Sequence, residues 1–166
     1  MALPVYSSRD VSVTWSGVAL DGLAPDSFVT FSRNADLTDE EVGSDGKVAI
    51  SRTPDKTGTC TLSFQQNSEA NLVLSGVLAA QESSPTFITG SLTVVDPSGS
   101  VIALLTNSHI KTAPESTLGI TATGQTKDWV FFCEGMNFTS APEGVSAVAE
   151  VAARVAGAID TVLGSI

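Results

Sequence analysis

Apolar and polar positions alternate with a period of two through most of the first 140 residues, the pattern of half-buried β-strands. Val11, Val13 and Trp15 share one face of a strand, which the pattern continues through residues 18–23 past a kink at Gly17. Pro25-Asp26 breaks the run, and residues 26–33 alternate again with both faces partly apolar. Residues 34–46 form a polar loop that closes on Gly43-Ser-Asp-Gly46, a strong turn signal. Residues 47–52 and 59–65 alternate once more, with a Pro-Asp turn at 53–58 between them. Residues 26–66 are therefore expected to be a meander of three antiparallel strands. Within it, a long hairpin arm (about 26–53) reaches out from a body.

The period changes to that of a helix at residue 68. Ser68 is the expected N-cap and Glu69 puts negative charge in the first turn. Ala70, Leu72, Val73, Leu74, Val77, Leu78 and Ala80 follow at helical spacing, so the helix spans about 68–82 and stops before Pro85. Strands are expected at 87–95 and 101–110, joined by the turn Asp96-Pro-Ser-Gly99. A long final strand covers 128–139, bulged at Gly135. After Pro142 the composition shifts to Ala, Val and Gly. A C-terminal amphipathic helix (about 143–165) is expected there, with Val148, Val155 and Ile159 on its apolar face and Ala149, Ala153 and Gly157 as a smooth stripe four residues apart. That helix packs either on its own domain or on a neighbouring subunit. The fold class is mainly β: an antiparallel sandwich or barrel with one flanking helix, the arm and the C-terminal helix. The 166 residues make a single domain with 142–166 as a helical extension.

Composition narrows the function. Eight Lys and Arg stand against 18 Asp and Glu, for a net charge of −10. Phosphate binding needs clustered cations, so the balance argues against a nucleic-acid grip, although nucleic acid passing an acidic wall would not be trapped. The apolar C-terminal stretch is interrupted by Glu150, Arg154 and Asp160, which argues against a membrane span, and the N-terminus has no secretory pattern. Cys60 and Cys133 fall in strand-like runs and read as two buried thiols, or as a disulfide if their strands are neighbours. His109 is the one imidazole, with nothing like a nucleophile elbow near it. No metal-ligand spacing, phosphate loop or dinucleotide fingerprint is present, and the acidic loop lacks the order of a calcium loop. No cofactor and no catalytic residue are assigned.

Three segments in order carry a resemblance: residues 6–17 (YSSRDVSVTWSG), 45–55 (DGKVAISRTPD) and 61–71 (TLSFQQNSEAN). They resemble the tail tube proteins of contractile-tailed bacteriophages, over roughly residues 5–140. The resemblance implies the fold of type VI secretion tube proteins. It also implies homo-hexameric rings stacked into a hollow tube within a contractile sheath, with tape measure and baseplate proteins as further partners. DNA would pass through without specific binding; the tube would be built in the host bacterial cytoplasm and reside in the virion tail. Six copies would carry −60. The arm, with Arg33, Asn34, Asp36, Asp39, Glu40, Glu41, Asp45 and Lys47, would contact the neighbouring ring. The alternatives are the tube of a phage-derived bacteriocin or secretion machine, a monomeric β-sandwich binding module, or an enzyme built on His109. The binding module predicts aromatics clustered on loops, but Trp15 and Trp129 fall inside strands.

Overall fold

The computed structural model describes residues 8–26, 28–96, 101–116 and 125–140, together with Gly157 and Gly164. Among these residues a short 3-10 turn at Ser8–Asp10 leads into the elements β1 (Ser12–Trp15), β2 (Val18–Ala19), β3 (Val29–Arg33), β4 (Thr38–Val42), β5 (Val48–Arg52), β6 (Gly58–Gln65), α1 (Glu69–Ser83), β7 (Gly90–Asp96), β8 (Val101–Thr112) and β9 (Thr126–Ser140). Seven strands form one sheet in the order β2-β1-β7-β8-β9-β6-β3, and β4 and β5 form a separate two-stranded sheet. The pairings are antiparallel throughout. The mainly β, antiparallel architecture with one flanking helix is the expected one.

The period-two pattern explains the core. On β6, Gly58, Cys60, Leu62 and Phe64 are buried while the residues between them are half-buried. Trp129, Phe131 and Cys133 of β9 face the same way and join Val13, Trp15, Leu92, Val94, Ala103 and Leu105 in one cluster. The strands β8 and β9 change phase together. Buried positions run Ala103, Leu105 and then Ser108, Ile110 on β8, and Cys133 and then Met136 on β9. At the change, Asn107 takes a left-handed backbone (φ 49°), a conformation that Asn tolerates better than most residues. Such paired irregularities bend a sheet so that both halves can bury one face.

The helix sits where its cap and its polar bolt place it. Ser68 accepts a hydrogen bond from the Ala70 N–H at 3.2 Å, and the end of the helix is closed by the Ser84 N–H donating to the Ala80 carbonyl. Ala70, Asn71 and Leu74 are its buried residues. Asn71 is the bolt. Its Oδ1 accepts from the Trp129 indole N–H at 3.0 Å, and its Nδ2 donates to the Gln65 carbonyl at 2.8 Å. Gly22, with φ 81°, lies so close to Ser68 that a Cβ there would meet its Oγ, so glycine is required beside the cap.

Several expectations need correction. Residues 18–23 do not continue β1: Ser16 (φ 49°) and Gly17 (φ 82°) reverse the chain, and β2 folds back on β1 with Trp15 opposite Val18. The three-stranded meander is absent, because β3 pairs with β6 (Phe31 opposite Cys60) rather than with residues 47–52. The polar loop 34–46 contains a strand, β4, whose partner is β5. The hairpin therefore runs through β3-β4 and back through β5-β6, past the 26–53 limits expected for it. Finally, β9 changes phase around Gly135 without an inserted residue; the register shift of the β8–β9 ladder lies between Ile110 and Thr112, on β8. The first strand after the helix also begins at Gly90, three residues later than expected. The expected turn at 96–99 lies outside the described residues beyond Asp96, as does the C-terminal helix apart from Gly157 and Gly164.

The two thiols are free and buried on the adjacent strands β6 and β9. Cys133 Sγ donates to the Gly58 carbonyl at 3.1 Å. Burial, reinforced by the neighbouring Cys133, pushes the Cys60 thiol up to about 12. A thiol held protonated and out of solvent is a poor nucleophile. Titration of the native protein with an aromatic disulfide at pH 8 is expected to detect neither cysteine until denaturant is added. Fast reaction of either in the folded protein would contradict this packing.

Candidate assembly interface

The arm is where the chain departs from the economy of a globular domain. Its tip is set by glycine and a carboxylate. The Gly43 N–H donates to the Lys47 carbonyl at 2.8 Å, and the Gly46 N–H to the Gly43 carbonyl at 2.9 Å. Gly46 takes φ 80°, and Asp45 Oδ1 accepts from the Lys47 N–H at 3.2 Å. Register then follows: Val42 faces Val48, Glu41 faces Ala49, Glu40 faces Ile50, Asp39 faces Ser51 and Thr38 faces Arg52. Because side chains alternate, the ribbon has two unlike faces. One carries Val42, Val48, Ile50, Glu40, Thr38 and Arg52. The other carries Asp39, Glu41, Ala49 and Ser51.

Every residue of β4 and β5 is exposed. Val42 is 66%, Val48 57% and Ile50 68% exposed, with Leu37 at the root 60%. Covering an aliphatic side chain fully contributes about 1.5–3 kcal/mol, and an isolated two-stranded ribbon is marginal in water. An apolar face of this kind, next to a well-filled core, is a candidate contact surface.

The ribbon meets the body at a hydrogen-bonded joint. The Asn34 N–H donates to the Thr57 carbonyl at 3.2 Å, Asn34 Nδ2 to Thr57 Oγ1 at 3.0 Å, and Thr59 Oγ1 to Asn34 Oδ1 at 2.9 Å. The Thr53 N–H reaches the Leu37 carbonyl at 3.0 Å. Arg33 Nη2 donates to the Met136 carbonyl at 3.1 Å, and the Met136 N–H to the Lys56 carbonyl at 3.1 Å. Asp55 accepts from the Thr57 N–H at 2.8 Å, which holds its carboxyl below the usual carboxylate range. The arm thus leaves the body in a set direction.

The expected arm residues separate into three groups. Arg33, Asn34 and Asp36 belong to the root. Asp39, Glu40 and Glu41 lie on β4, with Glu40 on the opposite face from its neighbours. Asp45 and Lys47 form the tip, where Lys47 Nζ lies 3.4 Å from Asp45 Oδ2. Sequence reasoning missed the apolar members Leu37, Val42, Val48 and Ile50. Their signal was present, since Val42 and Val48 bracket the glycine turn and Ile50 follows at the strand period. Of the C-terminal candidates, Val148, Ala149, Ala153, Val155 and Ile159 lie outside the described residues, while Gly157 is helical.

Elsewhere the side chains are used for packing. His109 is half-buried, with its ring 4.8 Å from Phe87 edge-on and 5.3 Å from Phe132. Desolvation lowers its pKa, so it is neutral at pH 7. Ser108 beside it is occupied, accepting from the Trp15 indole N–H at 3.2 Å and donating to the Gly90 carbonyl at 2.7 Å. The His109 contribution to stability is present above the ordinary histidine value and is lost as pH falls through the lowered one. His109→Ala is expected to leave assembly unchanged and to flatten the loss of thermal stability on acidification below pH 6.5, measured by melting between pH 4 and 8. Loss of assembly in that variant would give the imidazole a role at an interface. Among the described residues no cluster of His, Cys, Asp or Glu could hold a metal ion, and no helix is long and apolar enough to cross a membrane.

Residues 5–139 match the model of the family described as bacteriophage PhiTE tail tube protein. No curated protein matches the chain. Among solved structures, the chain is similar to the anti-feeding prophage cap that terminates its tube, at 10% identity and a TM-score of 0.57 over 85% of this chain and 95% of that one. It is similar to the sheath/tube terminator of an extracellular contractile injection system, PVC, at 10% identity and 0.55 over 81% and 96%. It is also similar to a chain of the PVC sheath-tube complex, at 11% identity and 0.52 over 82% and 93%. At such identities the likeness is one of fold.

Proposed function

We propose that this chain, which belongs to the bacteriophage PhiTE tail tube protein family, forms hexameric rings that stack into a hollow tail tube through which DNA passes. Its role is structural rather than enzymatic, as a component of the virion tail. The observation that carries the finer reading is the arm: a ribbon exposed at every position, apolar on one face and fastened to the body at a fixed joint. On this reading the apolar face is covered by the neighbouring ring. The tube forms in the host bacterial cytoplasm inside a contractile sheath, with tape measure and baseplate proteins at its core and end. One heterologous contact repeated by symmetry builds each ring, and a second builds the stack.

Catalysis plays no part in this mechanism. A strongly acidic chain gives a wall that repels phosphate, so a nucleic acid moves along it without being held. If the C-terminal segment containing Val148, Ala149, Ala153, Val155, Gly157 and Ile159 is the helix its periodicity suggests, its smooth stripe suits packing against a neighbouring subunit.

Negative-stain electron microscopy across a concentration series tests the reading, with rings and hollow tubes expected. Monodisperse monomers at every concentration, even when seeded with tail fragments, would overturn it. A second reading, the tube of a phage-derived bacteriocin or secretion machine, draws support from the likeness to contractile injection systems. Nuclease-protected DNA in particles built from this subunit separates the two.

A further inference from the structure

The two free edges of the ribbon carry opposite charge. Between Leu37 and Val42, β4 bears Asp39, Glu40 and Glu41 and no cation. Lys47 precedes β5 and Arg52 ends it, and no carboxylate lies between Lys47 and Pro54. The sheet has these two strands alone, so each has one edge with unpaired backbone groups. Unpaired edges are templates for another strand.

Among the described residues Asp39, Glu40, Glu41 and Arg52 form no ion pair. Among the described residues the one ion pair is Lys47–Asp45 at the tip, with the two side chains 88% and 57% exposed. Glu40 Oε1 accepts from Thr38 Oγ1 at 2.6 Å instead of meeting Arg52, which lies diagonally across the ladder on the same face. The outer edges of β4 and β5 point away from each other, so one molecule cannot bring them together. A second copy placed head to tail can.

We propose that arms of neighbouring copies pair edge to edge, β4 of one copy antiparallel to β5 of the next, with Asp39, Glu40 and Glu41 meeting Lys47 and Arg52 of that copy. The occupant of this surface is a second copy of the chain, and the proposal rests on the tube reading above. Head-to-tail pairing uses both edges of every arm, and closure around a ring leaves no edge open. It also sets Val42, Val48 and Ile50 of adjacent arms side by side, widening the apolar face that the ring above covers. Opposite charges select this pairing and exclude β4 against β4.

The test uses two charge variants of the full chain: Asp39→Lys with Glu40→Lys and Glu41→Lys, and Lys47→Glu with Arg52→Glu. Each alone presents like charges at every edge contact, and its sedimentable polymer is expected to fall about tenfold or more relative to wild type. Mixed in equal amounts, the two variants present opposite charges wherever they alternate, and polymer is expected to return. Because the rescue is between molecules, repair of contacts within one ribbon cannot produce it. Circular dichroism and melting of each variant confirm that the body is folded. Normal polymer from either variant alone, or failure of the mixture with both variants folded, overturns edge pairing. In both cases wild-type tubes would leave the tube reading standing, whereas absence of wild-type polymer would remove that reading and this one together.

Discussion

Excision of the arm is expected to separate folding from assembly completely. Leu37 and Thr53 are joined across the root by the Thr53 N–H to Leu37 carbonyl bond, so residues 38–52 can be replaced by a two-residue Asn-Gly turn without stretching the chain. None of the removed side chains belongs to the core, and the joint around Asn34, Thr57 and Thr59 is left in place. The melting temperature should therefore stay within a few degrees of the intact protein, since exposed ribbon contributes little to the body. Polymer should be lost, because each copy forfeits a face of exposed Val42, Val48 and Ile50 at about 1.5–3 kcal/mol per covered side chain. The measurement is sedimentation with electron microscopy of the pellet. Tubes of normal length from the excised protein would remove the arm from the assembly.

Replacement of Trp129 with Ala is expected to unfold or nearly unfold the protein. Trp129 is 2% exposed and among the largest buried side chains of the core. Truncation of a buried aromatic costs about 3–5 kcal/mol, against a typical total of about 5–15. A second loss adds to the cavity. The indole N–H is the donor to Asn71 Oδ1, and Asn71 also binds the Gln65 carbonyl that precedes the helix. Without the indole, Asn71 Oδ1 loses its donor in a buried place, which costs about a further 1–3 kcal/mol. Urea denaturation followed by circular dichroism measures the sum. Trp129→Phe, which keeps most of the volume and loses the donor, should recover most of the packing part. A Trp129→Ala protein within about 1 kcal/mol of wild type would contradict the assignment of this residue to the core.

Much of the body is legible from local pattern. Cys60, Leu62 and Phe64 alternate, and they are buried in alternation. Ser68, Glu69 and Pro85 bracket the helix as capping chemistry requires, because the cap satisfies backbone groups within a few residues of itself. The pairing of β7 with β8 follows from two apolar runs on either side of Asp96-Pro-Ser-Gly99 in the sequence. Where partners lie far apart in the chain, local pattern loses its hold. A polar run such as Thr-Asp-Glu-Glu reads as loop because nothing in it needs burial, yet it forms β4 through the backbone ladder to β5, whose position is set by the joint below it. The same distance hides the partner of β3: alternation says that residues 29–33 form a strand, but not that Phe31 meets Cys60.

By itself the sequence determined the kind of protein this is: strands from period two, one capped helix from period 3.6, and an acidic chain without chemistry for catalysis, with a tube-protein resemblance carried by three ordered segments. Tertiary structure alone decided the order of strands in the sheet, the shared phase change of β8 and β9, the fastening of Trp129 to Asn71, and the division of the arm into an apolar face and an acidic one. The physical reason is range. Propensity, capping and turn chemistry act over a few residues and are written there, whereas register, burial and the direction of an arm are fixed by contacts between residues tens of positions apart.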